Sequence, residues 1–203
     1  MVINPVRFSH TPDVTAVNQK QFDAHYKLYE GYVNQNNKIV EGLKNVSQQE
    51  LADANTTNGE YRGLKKGETY ALNGVILHEL YFRNMGGTNK EPCDQLITLI
   101  EKYFGTMEEW SKEFIATAKA SRGWVVLCYE QRTDSLRNCL LDLHDEGAVY
   151  MSIPLIVLDM YEHAYAIQYG IDKAKYIDAF MKNIHWDIVC QRVKYWKLDQ
   201  LHS

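Results

Sequence analysis

The sequence has no C-x-x-C pair, no basic run, no internal repeat and no low-complexity tract. It also has no apolar stretch near the roughly 20 residues that cross a bilayer. Each absence excludes a class of protein. With no basic stripe and a net charge of −4, nucleic acid is not an expected partner. Without a long apolar run, neither is a membrane. The opening stretch MVINPVRFSHTPDV lacks the apolar centre of a signal peptide. The expectation is a soluble, cytoplasmic protein. Cys93, Cys128, Cys139 and Cys190 are widely scattered, and buried reduced thiols are expected at all four.

What is present supports a substantial core. The chain has 203 residues, 45% of them hydrophobic, which suits one large domain or two small ones sharing a surface. Fourteen tyrosines and four tryptophans suit core packing, and could also line a site with stiff walls and hydroxyl donors.

The first half reads helical. In NQKQFDAHYKLYEGYVNQNNKIVEGLKN, residues Phe22, Tyr26, Tyr29, Val33, Ile39, Val40 and Leu43 recur near helical spacing. TTNGEYRGLKKG reads as a loop and ETYALNGVILHELYF as a second helix. RNMGGTNKEP is a strong breaker, placing a boundary between lobes 1–88 and 89–203. CDQLITLIEKYFG and TMEEWSKEFIATAKAS follow as helices, the latter with Thr106 as N-cap. The period then changes. WVVLCYE, SLRNCLLDL and SIPLIVL are strand-like, with QRTD as the first hairpin turn. MYEHAYAIQYG, KAKYIDAFMKNI and WDIVCQRVKYW return to helix. The expected class is α+β: a helical hairpin, then helices around a small three-stranded antiparallel sheet.

Seven histidines offer ligands. His10 and His202 lie near the chain ends and are weak candidates. His25 and His78 sit on the apolar sides of the two long helices, where a lone histidine is ordinarily a satisfied core residue. Asp159 and His163 lie four apart in LDMYEHAY. If that stretch is helical, they stand about 40° apart on one face. Three imidazoles and one carboxylate suit a redox-capable first-row metal.

These stretches resemble the iron/manganese superoxide dismutases. LDMYEHAYAIQY is similar to that family's D-x-W-E-H-A-Y-Y motif, GVILHELYF to its second-helix ligand motif, and HYKLYEGYVNQNN to its first-helix motif. FGTMEEWSKEFIATAKASRGW and KAKYIDAFMKNIHWDIV resemble the segment entering the sheet and the last helix pair. The likeness runs in order from about residue 14 to about residue 196. It implies an α-hairpin followed by an α/β domain. It also implies one Fe or Mn per subunit in trigonal-bipyramidal geometry, with solvent as fifth ligand. The ligands it implies are His25, His78, Asp159 and His163, and the activity is conversion of superoxide to dioxygen and hydrogen peroxide. Glu162 would reach across a homodimer, or a dimer within a tetramer. Tyr32 would gate the substrate funnel and Trp124 would wall the metal. Lys27, Lys173 and Tyr29 are placed on the funnel.

The sequence departs from the family around the ligands. The glutamine that usually donates to solvent can come from the helix position occupied here by Gly74. The matching sheet position is His144, read as the replacement donor. His25 to Tyr32 is seven steps where the family has eight, so a π-bulge there is expected to be absent. Tyr29 stands for a histidine, Ala166 for the cross-dimer tyrosine, Tyr161 for a tryptophan and Leu77 for asparagine. Two other readings compete: a mononuclear non-haem iron oxygenase, built on two histidines and one aspartate, and a non-enzymatic metal-binding paralogue.

Overall fold

The computed structural model describes residues 2–89 and 91–198. His202 lies outside them. Helix α1 (Gln19–Lys44) starts at Asn18, whose side chain accepts from the Gln21 amide at 2.9 Å. It runs unbroken, with no π turn, as the seven-step spacing predicted. After the short α2 (Gln48–Ala52), α3 (Glu60–Arg83) returns along α1. These two long helices form the hairpin.

Helix α3 begins some eight residues earlier than the glycine-bearing sequence suggested. Gly67 lies inside the helix because α1 passes close by: a Cβ there would meet Ile39 Cδ1 at 3.0 Å. A glycine read as a breaker is a point of close helix approach.

Helices α4 (Asp94–Phe104) and α5 (Met107–Ala120) lead into the sheet, and Thr106 caps α5 by accepting from the Glu109 amide at 3.1 Å. Strands β1 (Trp124–Glu130), β2 (Ser135–Leu141) and β3 (Ser152–Asp159) make an antiparallel sheet in the order β2-β1-β3. The central strand, WVVLCYE, is buried at every position, which explains its apolar run from Trp124 to Tyr129. A 3₁₀ turn (Glu162–Ala164) and the helices α6 (Ala166–Tyr169), α7 (Lys173–Met181) and α8 (Trp186–Tyr195) complete the chain.

Side chains fasten the hairpin to the sheet. Buried Asn84, at the end of α3, accepts from the Val157 amide at 3.0 Å, and Arg192 of α8 donates to Asn84 Oδ1 at 3.1 Å. These bonds satisfy buried polar groups that would each cost about 1–3 kcal/mol if left alone.

Two expectations are corrected here. Cys93 and Cys190 are not reduced thiols. They form a disulfide with Cα atoms 6.1 Å apart, because α4 packs on α8 and brings together cysteines 97 positions apart. Cys128 and Cys139 are free and buried, as expected. The stretch after β3 is also not one helix. Asp159 is the last strand residue, and its Oδ1 accepts from the Tyr161 amide at 2.9 Å, turning the chain into the 3₁₀ segment.

Candidate metal centre

His25 on α1, His78 on α3, Asp159 at the end of β3 and His163 in the following turn meet at one point. Ligand-capable atoms of all four lie within 4.8 Å of one another. Three imidazole Nε2 atoms converge on Asp159 Oδ2: His25 and His163 at 3.0 Å each, His78 at 3.7 Å. Asp159 and His78 are fully shielded, His25 nearly so, and the His163 side chain is 24% exposed. The site therefore opens on the His163 side.

The surroundings prepare these groups to bind a cation. His78 Nδ1 donates to the Gly74 carbonyl at 2.6 Å, which leaves the Nε2 lone pair toward Asp159. That Nε2 is buried and has no hydrogen-bond partner. Burial pushes the His78 pKa down to about 3, with the His25 charge adding to it. Burial likewise lowers His25. Burial alone would raise Asp159, but the charges and hydrogen bonds of His163 and His25 outweigh it and hold the carboxyl below its usual range. Neutral His25 and His78 and an ionised Asp159 are protonation states that metal ligation needs.

A second ring of residues holds the ligands in place. The Tyr176 hydroxyl donates to the Asp159 carbonyl at 2.8 Å and lies 3.0 Å from the Tyr81 hydroxyl. Gln21, fully buried on α1, clamps the turn that carries His163. Its Nε2 donates to the His163 carbonyl at 2.6 Å, and its Oε1 accepts from the Ile167 amide at 2.9 Å. The sequence reading did not single out Gln21, because one polar residue on an amphipathic helix has no local signature.

His144 sits in the turn after β2, 1% exposed. The indole Nε1–H of buried Trp124 donates to its Nδ1 at 2.9 Å. Nδ1 is therefore an acceptor, and in the neutral ring the proton is on Nε2, which is buried without a partner. Burial pushes the His144 pKa down to about 4. The Trp124 ring also lies 4.9 Å from His78. Gly74 makes room, but the Tyr32 ring takes it: a Cβ there would meet Tyr32 Cδ1 at 2.8 Å. Tyr32 thus stands 5.1 Å from the His78 ring and 4.7 Å from His144. Tyr161 stacks on His163 at 5.2 Å and donates to the Asp142 carbonyl at 3.2 Å.

Tyr70 is a further residue the sequence reading missed. Its ring lies 4.5 Å from His144, and its hydroxyl interacts with those of both Tyr32 and Tyr161. Burial, with Tyr70 next, raises both phenols above the ordinary tyrosine value, so both stay protonated at neutral pH. Tyr70 lies eight positions before His78, about 80° round the helix, a spacing that could have flagged it.

The remaining expected residues divide. Lys173 is half-buried and lines a cleft of about 470 Å³ with Arg122, Glu162 and His163. Its amine donates to the Ser121 carbonyl at 2.6 Å, and burial lowers its pKa. Glu162 is exposed beside it. Tyr32 and Tyr70 line a second cleft, of about 330 Å³. Lys27 is exposed on α1 and lines neither cleft. Tyr29 corrects an expectation. It is fully buried, donates to Glu79 Oε1 and accepts from the Val6 amide, each at 2.8 Å. Phe8 and Phe82 pack against it, so it belongs to the core behind the ligands and not to an open funnel.

The fold and site define a protein with one buried centre of three imidazoles and a carboxylate. Comparison with known proteins gives its kinship. A family model described as the C-terminal domain of iron/manganese superoxide dismutases matches residues 92–192. "Superoxide dismutase [Fe]" of Aquifex aeolicus is 41% identical, over 86% of this chain and 81% of its own length. "Superoxide dismutase [Mn] 1" of Halobacterium salinarum is 36% identical, over 83% and 82%. "Superoxide dismutase [Fe]" of Cupriavidus metallidurans is 38% identical, over 88% and 89%. The chain belongs to the iron/manganese superoxide dismutase family.

Proposed function

We infer that the protein is a superoxide dismutase, converting superoxide to dioxygen and hydrogen peroxide with one iron or manganese ion per subunit. The observation that carries this is the buried convergence of His25, His78, His163 and Asp159, with His78 Nε2 otherwise unpartnered. Four converging ligands also weigh against the oxygenase reading, which needs only two histidines and one carboxylate.

When bound, the metal supplies a one-electron couple that superoxide can both reduce and oxidise. The chain's residues do the rest. Asp159 contributes the single negative charge among the ligands, and Gln21, Tyr176 and Gly74 fix their orientation. His144 Nε2–H is the donor held for solvent or substrate oxygen. Tyr32, Tyr70 and Tyr161 offer protonated hydroxyls for the two protons that peroxide needs. Lys173 and Arg122 put positive charge at the cleft beside His163, which focuses a small anion despite the negative chain.

We further propose a homodimer, alone or within a tetramer, in which Glu162 reaches the partner's metal centre. Exposed Glu162 beside half-open His163 supports this. The lobe boundary is proposed at residues 88/89, in the segment between α3 and α4. No helix among the described residues is long and apolar enough to cross a membrane. A cytoplasmic location is proposed with one condition. In a reducing compartment Cys93 and Cys190 would be thiols, so their redox state in fresh extracts tests it.

The central test is elemental analysis beside a dismutase assay on the same sample. About one Fe or Mn per subunit with activity is the expected result. A fully metallated but inactive protein would overturn the enzymatic reading in favour of the non-enzymatic paralogue.

A further inference from the structure

Cys128 and Cys139 take no part in the metal centre, yet their sulfurs lie 3.3 Å apart. The sheet register explains the meeting. Cys128 of β1 pairs with Arg137 of β2, and Cys139 of β2 pairs with Val126 of β1. The two cysteines are diagonal neighbours on one face of the sheet. They are 2% and 9% exposed. Both line a mostly apolar cleft of about 270 Å³, which also has Leu77 and His144 in its wall. Leu77 precedes the ligand His78, and His144 stands beside it. The cleft and the metal centre therefore share a wall.

We propose that Cys128 and Cys139 are a peroxide-reactive dithiol, converted to a disulfide by hydrogen peroxide, the product made on the other side of that wall. Exposure assigns different roles to the two sulfurs. Cys139 is 9% exposed and Cys128 2%, so peroxide entering the cleft reaches Cys139 first. Cys139 is the attacking sulfur and Cys128 the resolving one.

In the first step the Cys139 thiolate attacks one peroxide oxygen. An S–O bond forms, the O–O bond breaks, and the departing hydroxide takes a proton to become water. Cys139 is then a sulfenic acid. In the second step Cys128 Sγ attacks that sulfur. The S–S bond forms, the S–O bond breaks, and the leaving hydroxide takes the Cys128 proton as a second water. Two thiols lose two electrons and one peroxide gains them.

The sheet also explains why this pair stands reduced. Diagonal neighbours lie about 7–8 Å apart, beyond the roughly 4.4–6.8 Å that a disulfide ordinarily spans. Closing the bond must draw β1 and β2 together. Beside Cys128 the β1–β3 register shifts, and Pro154, its partner there, has no amide hydrogen to give. That irregularity gives β1 the local slack the closure needs.

The test treats the purified metal-loaded protein with near-stoichiometric hydrogen peroxide, then maps its disulfides by mass spectrometry. The expected result is a new peroxide-dependent link between the peptides of Cys128 and Cys139, reversed by a thiol reductant. In Cys128→Ser, a sulfenic acid should accumulate on Cys139 and be trapped by dimedone. In Cys139→Ser, dimedone should label nothing in the sheet. If the wild-type protein forms no such link while the peroxide is consumed, the proposal fails, whether or not the variants fold. Labelling on Cys128 in place of Cys139 would overturn the assigned roles. Because peroxide is added directly, the outcome does not depend on whether the preparation dismutates superoxide.

Discussion

The indole of Trp124 donates to Nδ1 of His144 at 2.9 Å and so decides which nitrogen of His144 carries the proton. Trp124 has only that one polar hydrogen. His144 Nε2–H is then left buried without a partner, which suits the donor role proposed for it. In Trp124→Phe the tautomer is no longer held, and in His144→Ala the donor is gone. Loss of an outer partner at a metal site costs about 10–100-fold in affinity or activity. Both variants should move the metal reduction potential and the pH profile in a redox titration and a rate assay. Potential and pH dependence unchanged in His144→Ala would remove His144 from the mechanism.

Tyr70 should matter for proton delivery rather than for metal binding. Its hydroxyl joins those of Tyr32 and Tyr161, and it is not one of the four residues of the cluster. Tyr70→Phe keeps the ring against His144 and deletes only that link. Turnover should fall by up to about tenfold, worth about 1.4 kcal/mol, with metal content intact. A variant that loses metal instead would show that Tyr70 is structural.

Gln21 should act through His163. Gln21→Ala leaves the Ile167 amide and the His163 carbonyl without their partner. The expected loss of stability is about 2–3 kcal/mol, read from denaturant midpoints. Metal affinity should drop about tenfold or more as the His163 turn loosens. Full metal retention would mean that the turn is held by other contacts.

Much of this was legible from the chain alone, for identifiable reasons. Strands β1 and β3 announced themselves as apolar runs holding β-branched residues, and the long α1 as a helical period. The four ligands were legible because motifs around them recur in a known order. What stayed hidden depends on contacts between distant segments. Gly67 reads as a breaker until α1 is seen passing close to α3. The Cys93–Cys190 bond spans 97 positions with no local spacing to betray it. Tyr29 has the same side chain whether it faces a funnel or bonds part-buried Glu79 from within the core. Asp159 and His163 were rightly paired, but by a strand-to-turn corner and not by a shared helix face.

Acid should destabilise the metal-free protein, and the sign follows from the buried ligands. His78 falls to about 3 and His144 to about 4 in the folded chain, against 6.5 for an ordinary histidine. His25 shifts the same way. Below pH 6.5 the unfolded chain binds protons that the folded chain refuses, so stability falls as pH drops toward about 4. Each fully displaced group contributes up to about 1.4 kcal/mol per pH unit. Asp159 is displaced downward from 3.8, so its contribution is present above that value and is lost only at still lower pH. Denaturant melts of the apoprotein should show a plateau above about pH 7 and a steady decline from pH 6 to pH 4. An apoprotein equally stable at pH 7 and pH 4 would mean that the imidazoles gain access to water once the metal is gone.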